Sequence, residues 1–187
     1  MRRFSEDYLR TLARIFLIFC VVHFCIAMSN FKAGFDYDDT ISFSTPAFDK
    51  GFAAANEGVE SFSPEFWSVV NRNHELESSK TGVLFWAVML KTLGFDIVFI
   101  ASRLPQDNEG LVDRWDWLHD GFYFEKEKSR IMGRSRFVVF IGDSDSDIED
   151  AQKVGVWAVR ARRSPRSSYQ ANYSPGKYNE WILPFSG

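Results

Sequence analysis

Cysteine is almost absent from this chain of 187 residues. The two cysteines, Cys20 and Cys25, both lie in an apolar segment near the N-terminus, so the rest of the sequence contains no thiol. A small fold stapled by disulfides and a zinc site built from thiolates both need several cysteines at defined spacings. Both classes are therefore excluded for the part of the chain that follows this segment.

An excess of positive charge is also absent, because the formal net charge is −3 at pH 7. A chain without an overall basic field is not expected to bind a nucleic-acid polymer. For the locally basic stretch 160–166 we predict a solvated loop, with contact to an anionic substrate as the alternative. The hydrophobic share of 45 % excludes a disordered protein and indicates one domain with a substantial core.

Long apolar runs are scarce, and the main one, residues 15–28, has 14 residues. A membrane-spanning helix usually needs ~20 apolar residues, whereas the core of a signal peptide needs roughly 7–15. Arginines precede the run, and Ala27 suits cleavage beside Met28. We predict a signal peptide over 1–28 and a periplasmic or secreted domain over 29–187. An uncleaved anchor, with the domain tethered outside the cytoplasm, is the second interpretation, and a buried helix is the third.

Carboxylates follow the first predicted strand, which begins near Lys32. Asp36 and Asp38 point to the same side of an extended chain, because side chains alternate between the faces of a strand. Such carboxylates repel, and Mg²⁺, which prefers oxygen ligands, would relieve the repulsion. A polar turn is the alternative. A calcium loop is excluded, since it requires glycine and glutamate where Ile41 and Ala47 stand.

Apolar runs and helical periodicity alternate along the rest of the chain. Strands are predicted at 95–103, 122–124, 136–142, 156–160 and 181–183, and helices at 78–93, 109–119, 125–132 and from 63 and 143 onward. Residues 46–58 are interpreted as a loop or irregular cap segment. This alternation predicts an α/β fold, a Rossmann-like parallel sheet with flanking helices and a small insert after the first strand. Ligands then lie beyond the carboxyl ends of the strands.

Polar residues stand at three of these strand ends. Besides the first group, Ser102 and Arg103 end one strand, and Asp-Ser-Asp-Ser-Asp at 143–147 ends another. The second acidic group alone would be explained as a helix cap. Two acidic strand ends in one sheet favour a cation, or an aspartate that attacks phosphorus. Lys128 is the candidate partner for the remaining phosphate charge, and a solvated helix lysine is the alternative.

In this order the motifs resemble those of the haloacid dehalogenase superfamily of phosphatases, and most closely the class B acid phosphatases. The resemblance extends from Gly34 onward, and its specificity lies in the combination of motifs. It rests on Phe-Asp-Tyr-Asp-Asp-Thr at 35–40, Phe-Ser-Thr-Pro-Ala-Phe at 43–48, Phe-Trp at 66–67, Ala-Ser-Arg at 101–103, Lys-Ser at 128–129, Gly-Asp-Ser-Asp-Ser-Asp at 142–147 and Ser-Tyr at 168–169.

The resemblance implies a role for each matching residue. Asp36 would be the nucleophile that forms an aspartyl-phosphate, and Asp38 would protonate the leaving group and then activate water. Mg²⁺ would be held by Asp36, the backbone carbonyl of Asp38 and Asp143, with support from Asp147. Lys128 would hold the phosphoryl group.

The resemblance also implies contacts to the substrate. Phe48, Trp67 and Tyr169 would form an aromatic pocket for the leaving group, with core packing as the alternative for the first two. Ser102 and Arg103 would bind the phosphate.

Three departures from the family pattern stand beside these matches. Ala101 occupies the position of the phosphate-binding threonine, and Ser102 is the candidate replacement. The segment between Ala101 and Lys128 is shorter than in the family. The N-terminal arm that helps the family to form tetramers is missing, so the question whether this chain forms a homo-oligomer stays open.

The resulting expectation is a Mg²⁺-dependent acid phosphatase that acts on small phosphomonoesters, with nucleotides as candidates. The alternatives are a phosphatase for another metabolite phosphate and a membrane-tethered, catalytically weak binding protein with the same fold. The membrane is expected as a partner only if the N-terminal segment is not cleaved.

Overall fold

The computed structural model describes the backbone of residues 2–187 and the side chains from Tyr8 onward. The strands run in chain order as β1 Lys32–Asp36, β2 Ser42–Phe43, β3 Ser78–Ser79, β4 Asp96–Ala101, β5 Gly121–Phe124, β6 Phe137–Gly142, β7 Trp157–Arg160 and β8 Trp181–Ile182. The helices are α1 Arg2–Ser29, α2 Thr45–Asn56, α3 Pro64–Arg72, α4 Thr81–Thr92, α5 Glu109–Asp113, α6 Ser129–Met132 and α7 Asp145–Lys153.

Six strands form one parallel sheet in the order β5-β4-β1-β6-β7-β8, which confirms the predicted fold class. One face packs Phe35 of β1 and Phe99 of β4 against Val83 and Ala87 of α4. The other face packs Phe140 of β6 against Ile148 of α7. Both faces are covered, which is why the central strands are almost continuously apolar. The strand β1 lies between β4 and β6, so its carboxyl end stands near the middle of the carboxyl edge of the sheet.

The segment between β1 and β4 contains an insert, and its prediction as an irregular segment is wrong. Residues 45–56 form the regular helix α2, which packs against α3, and the short ladder β2–β3 closes the insert. Pro46 begins a helix here, a position that proline tolerates well. Gly51 is buried, and a side chain at this position would collide with Val70 and Phe66, so glycine allows the close packing of α2 on α3. Proline and glycine are typical of turns, but here they serve helix initiation and close packing.

Two further helices are shorter than predicted. The helix expected over 109–119 ends at Asp113 and continues as turns, which bury Trp115 and Leu118. The helix expected over 125–132 is the single turn α6. In contrast, α3 begins as the sequence predicts, with Pro64 in the first turn and the Ser63 hydroxyl accepting a hydrogen bond from the Phe66 amide at 3.2 Å.

The N-terminal helix α1 is continuous and longer than its apolar core. Its segment Tyr8–Ser29 has 22 residues, a mean hydropathy of 2.2 and no buried part. This helix is long and apolar enough to cross a membrane, and a signal sequence has the same properties. The third interpretation, a buried N-terminal helix, is wrong because the side chains of Tyr8–Ser29 are largely exposed. In the last two turns of α1, the His23 ring forms a hydrogen bond of 3.0 Å with the Thr92 carbonyl.

Candidate active site

Three buried carboxylates meet at the carboxyl edge of the sheet. Asp36 ends β1, Asp143 follows the neighbouring strand β6, and Asp147 lies in the first turn of α7. Each offers one oxygen, and these oxygens lie within 4.8 Å of one another. The pairing of β1 with β6 therefore brings together acidic residues that are more than a hundred positions apart in the chain.

The loop that carries Asp143 and Asp147 is fixed by a helix cap. The Ser144 hydroxyl accepts from the Asp147 amide at 3.2 Å, and Asp147 Oδ2 accepts from the Ser144 amide at 3.0 Å. The same residue therefore caps the helix and belongs to the cluster: Asp147 Oδ2 accepts the capping hydrogen bond, and Oδ1 faces the cluster. Gly142 is required beside it, since a side chain there would come within 2.6 Å of the Asp147 carboxyl carbon.

Lys128 lies inside the cluster. Its ammonium group donates to Asp36 Oδ1 and to Asp147 Oδ1, the latter at 2.5 Å, and the residue is only 3 % exposed. The alternative of a solvated helix lysine is therefore wrong. Burial alone would lower the pKa of Lys128, but the carboxylates of Asp147 and Asp36 outweigh it and raise the pKa. The side chain remains a cation.

The cluster carries more negative charge than its cations balance. Burial raises the pKa of Asp36 well above its usual value, the Asp147 carboxylate adds to this, and Lys128 opposes it. Burial and Asp147 also raise the pKa of Asp143. A divalent cation would relieve both effects, and a donor set made only of carboxylate oxygens suits Mg²⁺. The residues present therefore fit a metal site.

Two residues that sequence reasoning left without a role also contact the cluster. Thr40, the last residue of the Asp-x-Asp-Asp-Thr motif, donates to Asp36 Oδ2 at 3.0 Å and to Asp143 Oδ1 at 3.3 Å. The Arg163 guanidinium donates from Nε to Asp143 Oδ2, and its NH1 group donates to the Tyr169 and Ala171 carbonyls.

The prediction of a solvated loop at 160–166 is therefore wrong for two of its arginines. Arg163 is 7 % exposed and Arg160 is fully buried, where it pairs with Glu180 at 2.8 Å and Asp145 at 3.0 Å. The reason is topological, because β7 ends beside β6 and so directs its following segment over the acidic loop.

Asp38 does not belong to the group of three clustered carboxylates and pairs with Arg103, at 2.5 Å from Nη2 to Oδ1. Whether the Asp38 carbonyl binds a metal stays a prediction. Ser102 is exposed at the end of β4, beside the buried Ala101, and its role as replacement for threonine also stays a prediction.

The three predicted aromatic residues do not form one cluster. The rings of Phe48 and Trp67 meet edge to face inside the insert, with centroids 5.6 Å apart. Tyr169 is 55 % exposed on the segment after β7, where its ring lies against Arg163. That segment reaches the start of α2 through a hydrogen bond from the Ser168 amide to Thr45 Oγ1 at 3.0 Å. The two aromatic groups therefore lie on different elements, the insert and the segment after β7.

Comparison with known proteins agrees with this arrangement. No family model matches the sequence. The class B acid phosphatase of Marinomonas sp. strain MWYL1 is 29 % identical over 167 residues, which cover 82 % of this chain and 71 % of that protein. The class B acid phosphatase of Klebsiella pneumoniae strain 342 is 26 % identical over 168 residues, or 80 % of this chain and 70 % of that protein.

Solved structures share the fold at lower sequence identity. CbbY from Rhodobacter sphaeroides, crystallised in complex with phosphate, has a TM-score of 0.57 and 14 % identity, covering 84 % of this chain and 95 % of that one. The HAD phosphatase from Thermococcus onnurineus has a TM-score of 0.51 and 14 % identity, covering 81 % and 92 %. The topology, the acidic edge and the similarity to class B acid phosphatases together support a phosphatase of the haloacid dehalogenase type, that is, a phosphoric monoester hydrolase.

Proposed function

We propose that this chain is a Mg²⁺-dependent acid phosphatase that hydrolyses small phosphomonoesters through an aspartyl-phosphate on Asp36. The observation that carries the proposal is the buried cluster of Asp36, Asp143 and Asp147 with Lys128 inside it. Buried carboxylates at such a density are unfavourable unless a cation or a reaction compensates them.

Asp36, Asp143 and the Asp38 carbonyl would hold the metal, and Asp147 would support it. When bound, Mg²⁺ neutralises phosphate oxygens that would otherwise repel the nucleophile. The Lys128 ammonium donates to Asp36 Oδ1 and can therefore bind a phosphoryl group carried by that carboxylate. Thr40 donates to Asp36 Oδ2, which holds the carboxylate in one orientation.

The reaction proceeds in two displacements. A carboxylate oxygen of Asp36 attacks phosphorus, the bond from phosphorus to the leaving oxygen breaks, and Asp38 gives its proton to that oxygen. Water then attacks the phosphorus of the aspartyl-phosphate while Asp38 takes a proton from it. The products are an alcohol, inorganic phosphate and the original carboxylate. Asp38 suits this role because 23 % of its side chain is exposed at the mouth of the cluster.

The insert supports an aromatic leaving group. Phe48 lies next to Arg103, whose guanidinium carbon is 5.4 Å from the centre of the ring, and Trp67 packs against Phe48. We propose that these rings, together with Tyr169 on the segment after β7, contact a nucleoside. A purified full-length protein should therefore hydrolyse nucleoside monophosphates with a higher kcat/KM than sugar phosphates or glycerol phosphate.

Steady-state kinetics on a panel of these esters tests the assignment. Equal kcat/KM values across the panel would point to a phosphatase for another metabolite. Tight binding of nucleotides without any turnover would favour the catalytically weak binding protein, a reading to which Ala101 lends some support because it removes the hydroxyl expected at the phosphate.

We further propose that residues 1–28 carry the domain across a membrane. The helix α1 is joined to the amino end of β1, whereas the catalytic cluster lies at the carboxyl end. An uncleaved helix would therefore leave the catalytic edge facing away from the bilayer. Intact-mass spectrometry of protein recovered from a secreting host distinguishes the two forms: a signal peptide predicts a mature N-terminus near Met28, and an anchor predicts the full-length chain in the membrane fraction.

A further inference from the structure

Arg103 is fully buried and binds both Asp38 and a second carboxylate. Its Nε lies 3.1 Å from each oxygen of Asp38, and its NH2 group lies 2.5 Å from Asp38 Oδ1 and 2.6 Å from Glu77 Oε1. Its NH1 group donates to Asn71 Oδ1 at 3.2 Å. All three nitrogens of the guanidinium group are thus engaged by residues of this chain, which favours a role in holding Asp38.

Glu77 is the buried partner of this arginine and comes from the insert, just before β3. It is 4 % exposed, and its second oxygen accepts from the Tyr37 hydroxyl at 2.6 Å and from the Ser42 hydroxyl at 3.2 Å. Tyr37 directly follows β1 and in turn accepts from the Trp115 indole at 3.2 Å. The carboxylate of Glu77 is therefore fixed from several sides before it meets Arg103.

The charges explain why both carboxylates are needed. Burial would lower the pKa of Arg103, but Asp38 and Glu77 outweigh it and raise the pKa, so the guanidinium stays charged. Removing one partner of a buried ion pair leaves an uncompensated charge, so loss of either carboxylate would disturb the position of the guanidinium. The Asp38 side chain is partly exposed, whereas the Glu77 side chain is fully buried. Glu77 therefore has the more rigid position, and the orientation of Asp38 depends on Arg103.

We propose that Glu77 is a positioning residue, which holds Arg103 so that Arg103 fixes the Asp38 carboxylate at the mouth of the catalytic cluster. This inference rests on the proposed function, in which Asp38 is the acid and then the base. It assigns a catalytic consequence to the insert, whose residues Glu77 and Asn71 both hold Arg103.

The test compares Glu77→Gln with Glu75→Gln, the same change at an exposed glutamate two positions earlier. The leaving oxygen of an alkyl phosphate needs a proton from the acid, whereas 4-nitrophenolate is a good leaving group and depends far less on protonation. We expect Glu77→Gln to lower kcat/KM for the alkyl phosphate by roughly 10- to 100-fold, the range for a misaligned acid, and to affect the aryl phosphate several-fold less. Glu75→Gln should match wild type on both.

A double-mutant cycle separates positioning from a general structural effect. In an Asp38→Asn background, Glu77→Gln should lower kcat/KM for the alkyl phosphate by less than about threefold, because residues that act as a unit are not additive. Equal losses on both substrates, or full additivity with Asp38→Asn, would overturn the inference. If wild type is active and Glu77→Gln behaves like Glu75→Gln, the inference about Glu77 is overturned and the proposed function stands. If wild type is inactive, the inference and the proposed function are both overturned.

Thermal unfolding accompanies these assays. If Glu77→Gln loses its cooperative transition, Glu77→Asp is measured instead, since it keeps the charge that Arg103 requires. We expect the aspartate variant to fold and to show the larger loss on the alkyl phosphate. Losses that are the same for both esters in this variant would contradict a role through Asp38.

Discussion

Replacing Asp36 by asparagine is expected to lower phosphomonoester hydrolysis by on the order of 10⁴-fold or more, the usual scale for loss of a nucleophile. Asparagine has nearly the same size, so it can occupy the space between Lys128 and Thr40. It lacks the anionic oxygen that attacks phosphorus, and it provides a weaker ligand to a metal. The loss should appear in kcat for every ester, because each must pass through the same intermediate.

The matched control is Asp49→Asn, the same change on the exposed side of α2. This variant should retain the wild-type kcat and KM. Activity of Asp36→Asn within about tenfold of wild type, well short of the loss expected for a missing nucleophile, would refute the assignment of Asp36, and with it the aspartyl-phosphate.

Removal of divalent cations is the second large effect. Chelation should abolish hydrolysis, and added Mg²⁺ should restore it, because Asp36, Asp143 and Asp147 otherwise repel one another and the phosphate. Burial already raises the pKa of Asp36 and Asp143, so without a cation part of the cluster is driven toward the protonated form, which cannot attack phosphorus.

A binding measurement makes this prediction independent of turnover. A ligand that binds only the folded state raises the unfolding midpoint, so Mg²⁺ should stabilise wild type and the control variant Asp150→Asn, a change at a half-buried position outside the carboxylate cluster, but not Asp143→Asn. Hydrolysis that persists after complete chelation would exclude the metal-dependent route, and equal stabilisation of all three proteins would place the ion elsewhere.

The acidic edge could be predicted from the sequence because two short-range patterns determine it. Apolar runs that end in aspartates indicate strands, and parallel strands place their carboxyl ends on one edge. The position of Lys128 depended on the resemblance to a family, because a lysine in a short helix has no local signal that it is buried. Its contacts with Asp36 and Asp147 are made only when α6 packs against α7.

The residues that support the cluster were not predictable in the same way. Arg163 lies in a locally basic stretch that is typical of a solvated loop, and its burial depends on the path of the chain after β7. Glu77 and Arg103 are 26 positions apart and belong to different elements, so their contact depends on how the insert folds over the sheet. The sequence predicts the insert but not its helix α2, because proline and glycine are typical of turns, whereas here they begin and pack a helix.

The most direct test of an aspartyl-phosphate is to find where the phosphoryl group resides during turnover. The protein is mixed with an aryl phosphate and Mg²⁺ and quenched in acid within milliseconds, and its peptides are analysed by mass spectrometry. We expect a phosphoryl group on the side chain of Asp36 in wild type and none in Asp36→Asn. Rapid turnover by a wild-type protein that carries no phosphoryl group, or carries it on another residue, would refute Asp36 as the nucleophile.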